Sequence, residues 1–260
     1  MDKTIGTEVR QTAVTHKLIG REAECNLLRE NFKLACDGHS QFIFINGEPG
    51  WGKSTLIEYF LKQYAKNAVV AKGCCLIARE ESEPYFPFLD LFSSLSESYV
   101  NEPVGITKKK AATYGKVFAK AILENSAGLI GTFIPAYSNV IKIIKKVEGC
   151  VGEINSQLEK AQQVTTGIDT SQLQLQFAKV LESISKEYPL VLVIDSLQWA
   201  DINSIDLLFY LSTRLKKKPI LFIYSLNDSE LLCLESAPCR LLKKTINELR
   251  PKDNHHWLDM

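Results

Sequence analysis

Residues 47–55 read Gly47-Glu48-Pro49-Gly50-Trp51-Gly52-Lys53-Ser54-Thr55. The apolar run Phe42–Ile45 precedes them and the amphipathic segment 56–64 follows, so the order is strand, glycine-rich loop, helix. The loop fits the phosphate-binding pattern G-x-x-x-x-G-K-[ST]. Its glycines let backbone N–H groups point inward at phosphate oxygens, and the helix that opens near Lys53 adds the positive end of its dipole. The sequence therefore predicts a nucleotide-binding loop that includes all nine residues.

A second apolar run ends in an acid. Leu190–Ile194 is five consecutive apolar residues, as expected for a central parallel strand covered on both faces, and Asp195 follows directly. A carboxylate at the carboxyl end of such a strand lies at the edge where open α/β sheets bind ligands. In phosphate-loop proteins an acid there orients Mg²⁺ opposite the Ser or Thr of the loop. We therefore expect Mg²⁺ between Ser54 and Asp195, with the Lys53 ammonium on the β- and γ-phosphates of ATP.

The composition is that of an ordinary globular protein. The 260 residues carry a net charge of +1, with 45% hydrophobic and 23% charged residues, which allows one large domain or two small ones. The near-zero charge gives no electrostatic reason to expect nucleic acid as a partner. The uncharged segment 127–141 is shorter than the roughly 20 residues that span a bilayer, so we expect no membrane span.

Cysteine usage and the first residues favour the cytoplasm. The seven cysteines are odd in number and none lies in a C-x-x-C pair, which favours reduced thiols over a zinc ribbon or a redox motif. The chain begins without a charged-then-apolar leader, so we expect a cytoplasmic protein.

Hydrophobic periodicity indicates an α/β domain that is interrupted once. We expect a flexible arm over residues 1–17, a nucleotide-binding domain over 18–250 with a helical insertion over about 101–170, and a polar tail over 251–260 with exposed histidines. Strands are predicted at 42–45, 68–71, 190–194, 220–225 and near 245–249. Helices are predicted before Gly38 and over 56–64, 84–95, 173–184 and 203–215.

The second half of the insertion carries a seven-residue repeat. Val140, Val147, Ile154 and Ala161 recur at intervals of seven, and a second apolar set is offset by four. Two glycines interrupt this stripe, each costing about 1 kcal/mol of helix propensity. An amphipathic helix that packs on its own domain explains the stripe. The alternative is a helix over 140–161 that binds a protein partner or a second copy.

Several motifs in the same chain order resemble a known family. They are Leu18-Ile19-Gly20-Arg21-Glu22-x-Glu24, the loop 47–55, Pro84-Tyr85-Phe86-Pro87, and the strand 190–195 with Leu197-Gln198-Trp199-Ala200-Asp201. Together they resemble the AAA-type, origin-recognition-like ATPase domain of the STAND signal-transduction ATPases, over about residues 17–250. The resemblance implies a three-layer α/β sandwich of the P-loop NTPase class, with a mainly parallel five-stranded sheet in the order 5-1-4-3-2.

The resemblance also implies where the nucleotide lies and how it is used. It places the adenine near Ile19, Gly20 and Arg21, and it implies a switch between ATP-bound and ADP-bound states. Two positions depart from the family. Ser196 stands where the family usually has a second acid that orients the attacking water, and Asn227 stands where an Arg is common. Losing one water-orienting group typically costs about 10²–10⁴ in rate, so we expect binding to survive better than hydrolysis.

Arg214 is the candidate for a catalytic arginine supplied to a neighbouring copy. No other arginine lies between Arg79 and Arg214, and Arg214 is at the end of the helix predicted after the Asp195 strand. By resemblance, AAA-type proteins often present an arginine finger in trans from such a position, worth about 10³–10⁵ in rate. A cation that satisfies the dipole at a helix C-terminus explains the same residue. We hypothesise slow ATP hydrolysis that depends on assembly through this ATPase interface.

The function that fits best is a Mg-ATP-binding regulatory module, a signalling switch with weak ATPase activity. A hydrolysis-deficient ATP-binding scaffold or interaction protein is the alternative. A small-molecule kinase needs a mobile lid that brings arginines onto the phosphates, and residues 80–213 contain none. A DNA-loading ATPase is disfavoured by the neutral charge and by the absence of a recognisable DNA-binding module.

Overall fold

The computed structural model describes residues 19–77, 84–100, 117–118, 120–122 and 170–260. The predicted arm over 1–17, the repeat over 140–161 and almost all of the predicted insertion lie outside these residues. The partner-binding hypothesis for 140–161 therefore stays a prediction.

Five parallel strands form one sheet. They are β1 (Gln41–Asn46), β2 (Val69–Cys74), β3 (Leu190–Asp195), β4 (Ile220–Leu226) and β5 (His255–Asp259). The spatial order is β2-β3-β4-β1-β5, and every neighbouring pair is parallel. Read from the other edge, this is the predicted order 5-1-4-3-2, which confirms the fold class. The carboxyl ends of all five strands therefore meet at one edge of the sheet.

Besides the helical residues 117–118 and 120–122, the described part of the chain contains seven helices. They are α1 (Glu22–Cys36), α2 (Lys53–Tyr64), α3 (Phe86–Val100), α4 (Thr170–Ser185), α5 (Ile202–Arg214), α6 (Asp228–Cys233) and α7 (Ala237–Leu249), with a short 3-10 turn at Leu197–Trp199. The first five confirm the periodicity. The strand predicted near 245–249 is wrong, because these residues end α7, whose apolar positions recur with helical spacing and face the core.

The prediction of a polar tail over 251–260 is also wrong. Residues 255–259 form β5, which pairs with β1 at the sheet edge. His255 is buried rather than exposed, and its ring stacks on Phe42 at a centroid distance of 4.6 Å. The strand was not predicted because its histidines look polar in the sequence. An imidazole that stacks on an aromatic ring fills core space as an apolar residue would.

Strand alternation divides the core into two layers. On one face, Ile43, Ile45, Val191, Val193, Leu221 and Ile223 pack with α1 and α2. On the other face, Phe42, Phe44, Leu190, Leu192, Phe222 and Tyr224 pack with α3, α4, α5 and α7. Since successive strand side chains point to opposite faces, a continuous apolar run covers both helical layers. The result is the three-layer sandwich that the resemblance implies.

Helix α3 covers the open edge of the sheet at β2. The Cys74 amide donates to Asp90 Oδ2 at 3.0 Å, and the Lys72 amide donates to Ser94 Oγ at 3.1 Å. A Cβ at Gly73 would lie 2.1 Å from the Pro87 carbonyl oxygen, so only glycine allows this approach. Side chains of α3 thus satisfy edge amides and fix the end of β2 beside the end of β3.

Candidate nucleotide-binding site

The loop between β1 and α2 has the conformation of an anion cradle. Gly50 and Gly52 have φ angles of 84° and 88°, which L side chains rarely adopt. The Trp51 amide donates to the Glu48 carbonyl at 3.2 Å and closes the turn. Gly52 precedes α2 without any side-chain cap, so the first amides of this helix are left for an anion.

Lys53 points back into its own loop. Its Nζ donates to the Gly47 carbonyl at 2.5 Å and to the Glu48 carbonyl at 3.1 Å. Partial burial lowers the pKa of Lys53, and the nearby carboxylates of Asp195, Glu230 and Glu48 oppose this shift. The ammonium is thus held at the mouth of the loop among negative groups, where a phosphate can replace the carbonyl oxygens.

Asp195 is oriented by two neighbours. Its Oδ1 accepts from the Ser196 amide at 2.9 Å and from the hydroxyl of Ser225, which is buried on β4. These bonds hold the carboxylate in one direction at the carboxyl end of β3. Ser54 is exposed in the first turn of α2. The remaining loop residues Glu48, Pro49, Gly50, Trp51 and Thr55 are exposed as well, with Trp51 52% exposed.

The backbone of Ser196 helps to hold Asp195 in place. Its φ of 58° lies in the left-handed region, and its amide also lies 3.1 Å from Ser225 Oγ. This conformation turns the chain sharply from β3 into the 3-10 turn. A serine at this position supplies no carboxylate where the family usually has a second acid.

Sequence reasoning missed a polar bridge between the ends of β3 and β4. The buried Gln198 donates from Nε2 to Glu230 Oε2 at 2.9 Å, and its Oε1 accepts from the Asn227 amide at 3.3 Å. The Asn227 side chain is used as the cap of α6, because its Oδ1 accepts from the Glu230 amide at 3.3 Å. Gln198 was visible within the recognised motif, but nothing in its spacing indicates Glu230 as its partner.

The start of α6 is also tied to the phosphate loop. The Asp228 amide donates to Asn46 Oδ1 at 2.9 Å, and Ser229 Oγ lies 3.2 Å from Glu48 Oε1. The Gly47 amide donates to the carbonyl of Leu226 at 3.3 Å. The first turn of α6 therefore borders the loop and faces the same edge as Asp195.

Asp201 has a structural role that joins two of the recognised motifs. It caps α5 by accepting from the Ser204 amide at 3.0 Å, and the same oxygen accepts from the Tyr85 amide at 3.2 Å. Tyr85 has a φ of 64°, so the bond holds a left-handed turn before α3. This acid is a helix cap rather than a second magnesium ligand.

The three residues predicted near the adenine directly precede α1. The hydrogen bonds of Gly20 and Arg21 are local, to Glu22 and Glu24, and Ile19 is 82% exposed. Helix α1 contacts the last turn of α2 through Arg29, whose guanidinium lies over the Tyr64 ring. The adenine position near 19–21 therefore stays a prediction.

Arg214 lies at the opposite edge of the sheet from Lys53. It ends α5, and the next carbonyl, that of Leu215, accepts from Ser40 just before β1 begins. Its Nε lies 3.7 Å from Glu182 Oε1. Arg214 cannot reach the phosphate loop of its own chain, so any catalytic role requires a neighbouring copy and stays a prediction.

The residues present fit a Mg-nucleotide. Left-handed glycines, an uncapped helix start and a lysine at the loop mouth match the chemistry of a polyphosphate. The oxygen donors Ser54 and Asp195 are of the type that Mg²⁺ prefers. Within the described ranges, no group of three or more His, Cys, Asp or Glu side chains could hold a metal by itself. A magnesium ion here would thus take phosphate oxygens and water as its remaining ligands.

Comparison with known proteins gives a family match. A family model described as the AAA ATPase domain matches residues 17–223. No curated protein matches the sequence. Three solved structures with similar chains are Cdc6p from Pyrobaculum aerophilum and two Drosophila ORC complexes, one bound to DNA and one bound to GC-rich DNA and Cdc6.

The similarity to these structures is distant. For Cdc6p the identity is 14% and the TM-score is 0.42, and the match covers 96% of this chain and 47% of that chain. For the DNA-bound ORC the identity is 10% and the TM-score is 0.35, with 92% of this chain and 91% of that chain covered. For the complex with Cdc6 the identity is 10% and the TM-score is 0.34, with 96% of this chain and 62% of that chain covered. The chain thus spans about half of the Cdc6p chain. The sequence-based prediction that disfavours nucleic acid as a partner gains no support from these neighbours. No helix in the described part of the chain is long and apolar enough to cross a membrane.

Proposed function

The chain belongs to the AAA ATPase domain family, and on that premise we propose that it is a Mg-ATP-binding regulatory module. It acts as a nucleotide-dependent switch in signalling, with ATP hydrolysis that is slow or dependent on assembly. The observation that carries this proposal is the contrast between Lys53 and Ser196. The binding lysine lies in a complete phosphate loop, whereas the residue after Asp195 has no carboxylate to orient water.

Binding is supported by the geometry of the loop. The first amides of α2 and the Lys53 ammonium would contact the phosphates, and Ser54 and Asp195 would hold the magnesium ion. The bound ion would neutralise phosphate charge. A charge-assisted contact such as that of Lys53 typically contributes about 1.5–3 kcal/mol.

Switching is supported by how the loop and the strand ends are joined. The end of β4 and the start of α6 bond to the loop region, through contacts of residues 226–229 with Asn46, Gly47 and Glu48. A nucleotide that displaces the Lys53 contacts would therefore alter a network that reaches β4. ATP and ADP differ by one phosphate at this edge, so they would hold the network differently.

Assembly could supply what the single chain lacks. Arg214 lies far from its own loop and pairs only loosely with Glu182. A neighbouring copy or another protein partner could receive this side chain at its phosphates, which is the arrangement of an arginine finger in trans. The same absence of an acid at Ser196 favours a second candidate function, a scaffold that binds ATP without hydrolysing it.

The proposal is tested by calorimetric titration with ATP and ADP, with and without Mg²⁺. We expect Mg-dependent binding that Lys53→Ala weakens by about 100-fold, since a charge-assisted contact is lost. Lys72→Ala, which removes an exposed lysine on β2, is the matched control. Absence of nucleotide binding by the wild-type protein would refute the proposed function.

Phosphate release separates the switch from the scaffold. Ser196→Asp restores a carboxylate at a position whose left-handed φ aspartate tolerates better than most residues. We expect slow release by the wild-type protein, a rise with protein concentration, and faster release by Ser196→Asp. Binding without any release at high protein concentration would favour the scaffold.

A further inference from the structure

We propose that the Glu230 carboxylate orients the attacking water in place of the acid that position 196 lacks. Glu230 lies in the first turn of α6, at the carboxyl end of β4 and therefore between the ends of β3 and β1. This inference rests on the proposed function, because it assigns a residue to the hydrolysis step of the same site.

Glu230 is held by a clamp that leaves it little freedom. One carboxylate oxygen accepts from Gln198 Nε2 at 2.9 Å. Gln198 is buried and its own oxygen accepts from the Asn227 amide at 3.3 Å, so its amide group cannot turn without losing both bonds. The buried Gln198 amide therefore fixes the direction of the half-buried Glu230 carboxylate, as expected of a positioning residue.

The clamp places the carboxylate beside the phosphate loop. The two residues before Glu230 bind the loop region, since Asp228 bonds to Asn46 and Ser229 to Glu48. Glu230 is near enough to Lys53 to oppose the fall in the pKa of that ammonium, as Asp195 does. Glu230 and Asp195 therefore approach the Lys53 ammonium from the ends of two adjacent strands.

The chemistry asked of Glu230 is that of a general base. The water oxygen forms a bond to the γ-phosphorus, while the bond from the γ-phosphorus to the β,γ-bridging oxygen breaks. The electron pair of the broken bond leaves with ADP, and Glu230 accepts the proton that the water loses and then releases it to solvent. Such a base typically contributes about 10²–10⁴ in rate.

Glu230→Gln tests this role, because the amide keeps the shape of the side chain and can still accept from Gln198. Glu235→Gln, at an exposed glutamate nearby, makes the same change in charge and is the control. We expect Glu230→Gln to lower phosphate release about 100-fold and to change ADP affinity less than threefold. Glu235→Gln should change neither.

A second measurement does not depend on turnover. We expect aluminium fluoride, which mimics the γ-phosphate in flight, to tighten ADP binding by the wild-type protein at least tenfold. Glu230→Gln should remove this tightening. The double variant Glu230→Gln with Ser196→Asp should regain phosphate release, which loss of a merely structural contact would not allow.

The outcomes separate the two proposals. If the wild-type protein binds no nucleotide, the proposed function fails and this inference fails with it. If it binds ATP and ADP but releases no phosphate, or if Glu230→Gln releases phosphate and responds to aluminium fluoride as the wild type does, only the assignment of Glu230 is overturned.

Discussion

The two edges of the sheet are built differently although the same five strands end at both. At the carboxyl edge, Lys53, Asp195 and Glu230 bring charges together that remain partly exposed. At the amino edge, Ser40 is fully buried and its hydroxyl contacts the carbonyls of Leu215 and Lys218. The first edge has polar groups that a ligand can rearrange, whereas the polar groups around Ser40 at the second edge already satisfy one another.

This difference indicates a division of labour along the strands. Buried hydrogen bonds that join distant segments contribute to stability mainly because breaking them leaves unsatisfied groups. Half-exposed charges contribute little to stability, because water solvates them in the unfolded chain as well. We therefore expect substitutions at the amino edge to change the unfolding free energy, and those at the carboxyl edge to change nucleotide affinity.

Ser40→Ala should give the largest effect on stability. It removes a hydroxyl that links the start of β1 to the loop after α5, and it takes a donor from the buried carbonyl of Leu215, whereas the Lys218 carbonyl keeps the Ile220 amide. We expect the unfolding free energy in urea to fall by about 1–3 kcal/mol with unchanged ADP affinity. Ser229→Ala, an exposed hydroxyl at the carboxyl edge, is the control and should change the unfolding free energy by less than about 0.5 kcal/mol.

Gly52→Ala should give an intermediate effect that includes function. The added Cβ meets no atom within 4 Å, so only the φ of 88° opposes it, at about 1–2 kcal/mol. Gly38 has a φ of 90° and equally open surroundings at the amino edge, so Gly38→Ala is the matched control. We expect similar losses of stability, with a fall in ADP affinity of about tenfold only for Gly52→Ala. Equal affinities in the two variants would contradict the comparison.

The smallest effect should be a pH dependence at the amino edge. Burial, assisted by Lys252, His256 and Lys216, lowers the pKa of His255 to about 3. His255 therefore takes up a proton near pH 6.5 in the unfolded chain but stays neutral at that pH in the folded chain. The unfolding free energy consequently falls as the pH drops below about 6.5. His255→Phe keeps the stacking on Phe42. It should reduce the loss of unfolding free energy between pH 7 and pH 6 by less than about 1 kcal/mol.

The control for this pH dependence is the exposed His39. His39→Gln should leave the slope of unfolding free energy against pH as it is in the wild-type protein. A His255→Phe protein whose stability falls with acid as steeply as that of the wild type would show that other groups set the slope.

Local patterns predicted most of the sheet, and they predicted the loop and the strand end at which the candidate site lies. The phosphate loop, Asp195 and four of the five strands follow from apolar periodicity and glycine spacing within windows of about ten residues. The last strand was missed because His255 and His256 look polar, while the burial of His255 depends on Phe42, which is 213 residues earlier in the chain. Helix α7 was missed although its apolar positions recur with helical spacing, so this error lies in the interpretation of a local pattern and not in a missing long-range contact.

The sequence by itself determined that a phosphate loop follows β1 and that the residue after Asp195 is a serine. Both are statements about neighbouring residues, and covalent order decides them. Only the tertiary structure decided that Gln198 holds Glu230 and that the start of α6 borders the loop. Those contacts join segments 32 and 181 residues apart, and their spacing carries no periodicity that a sequence could display.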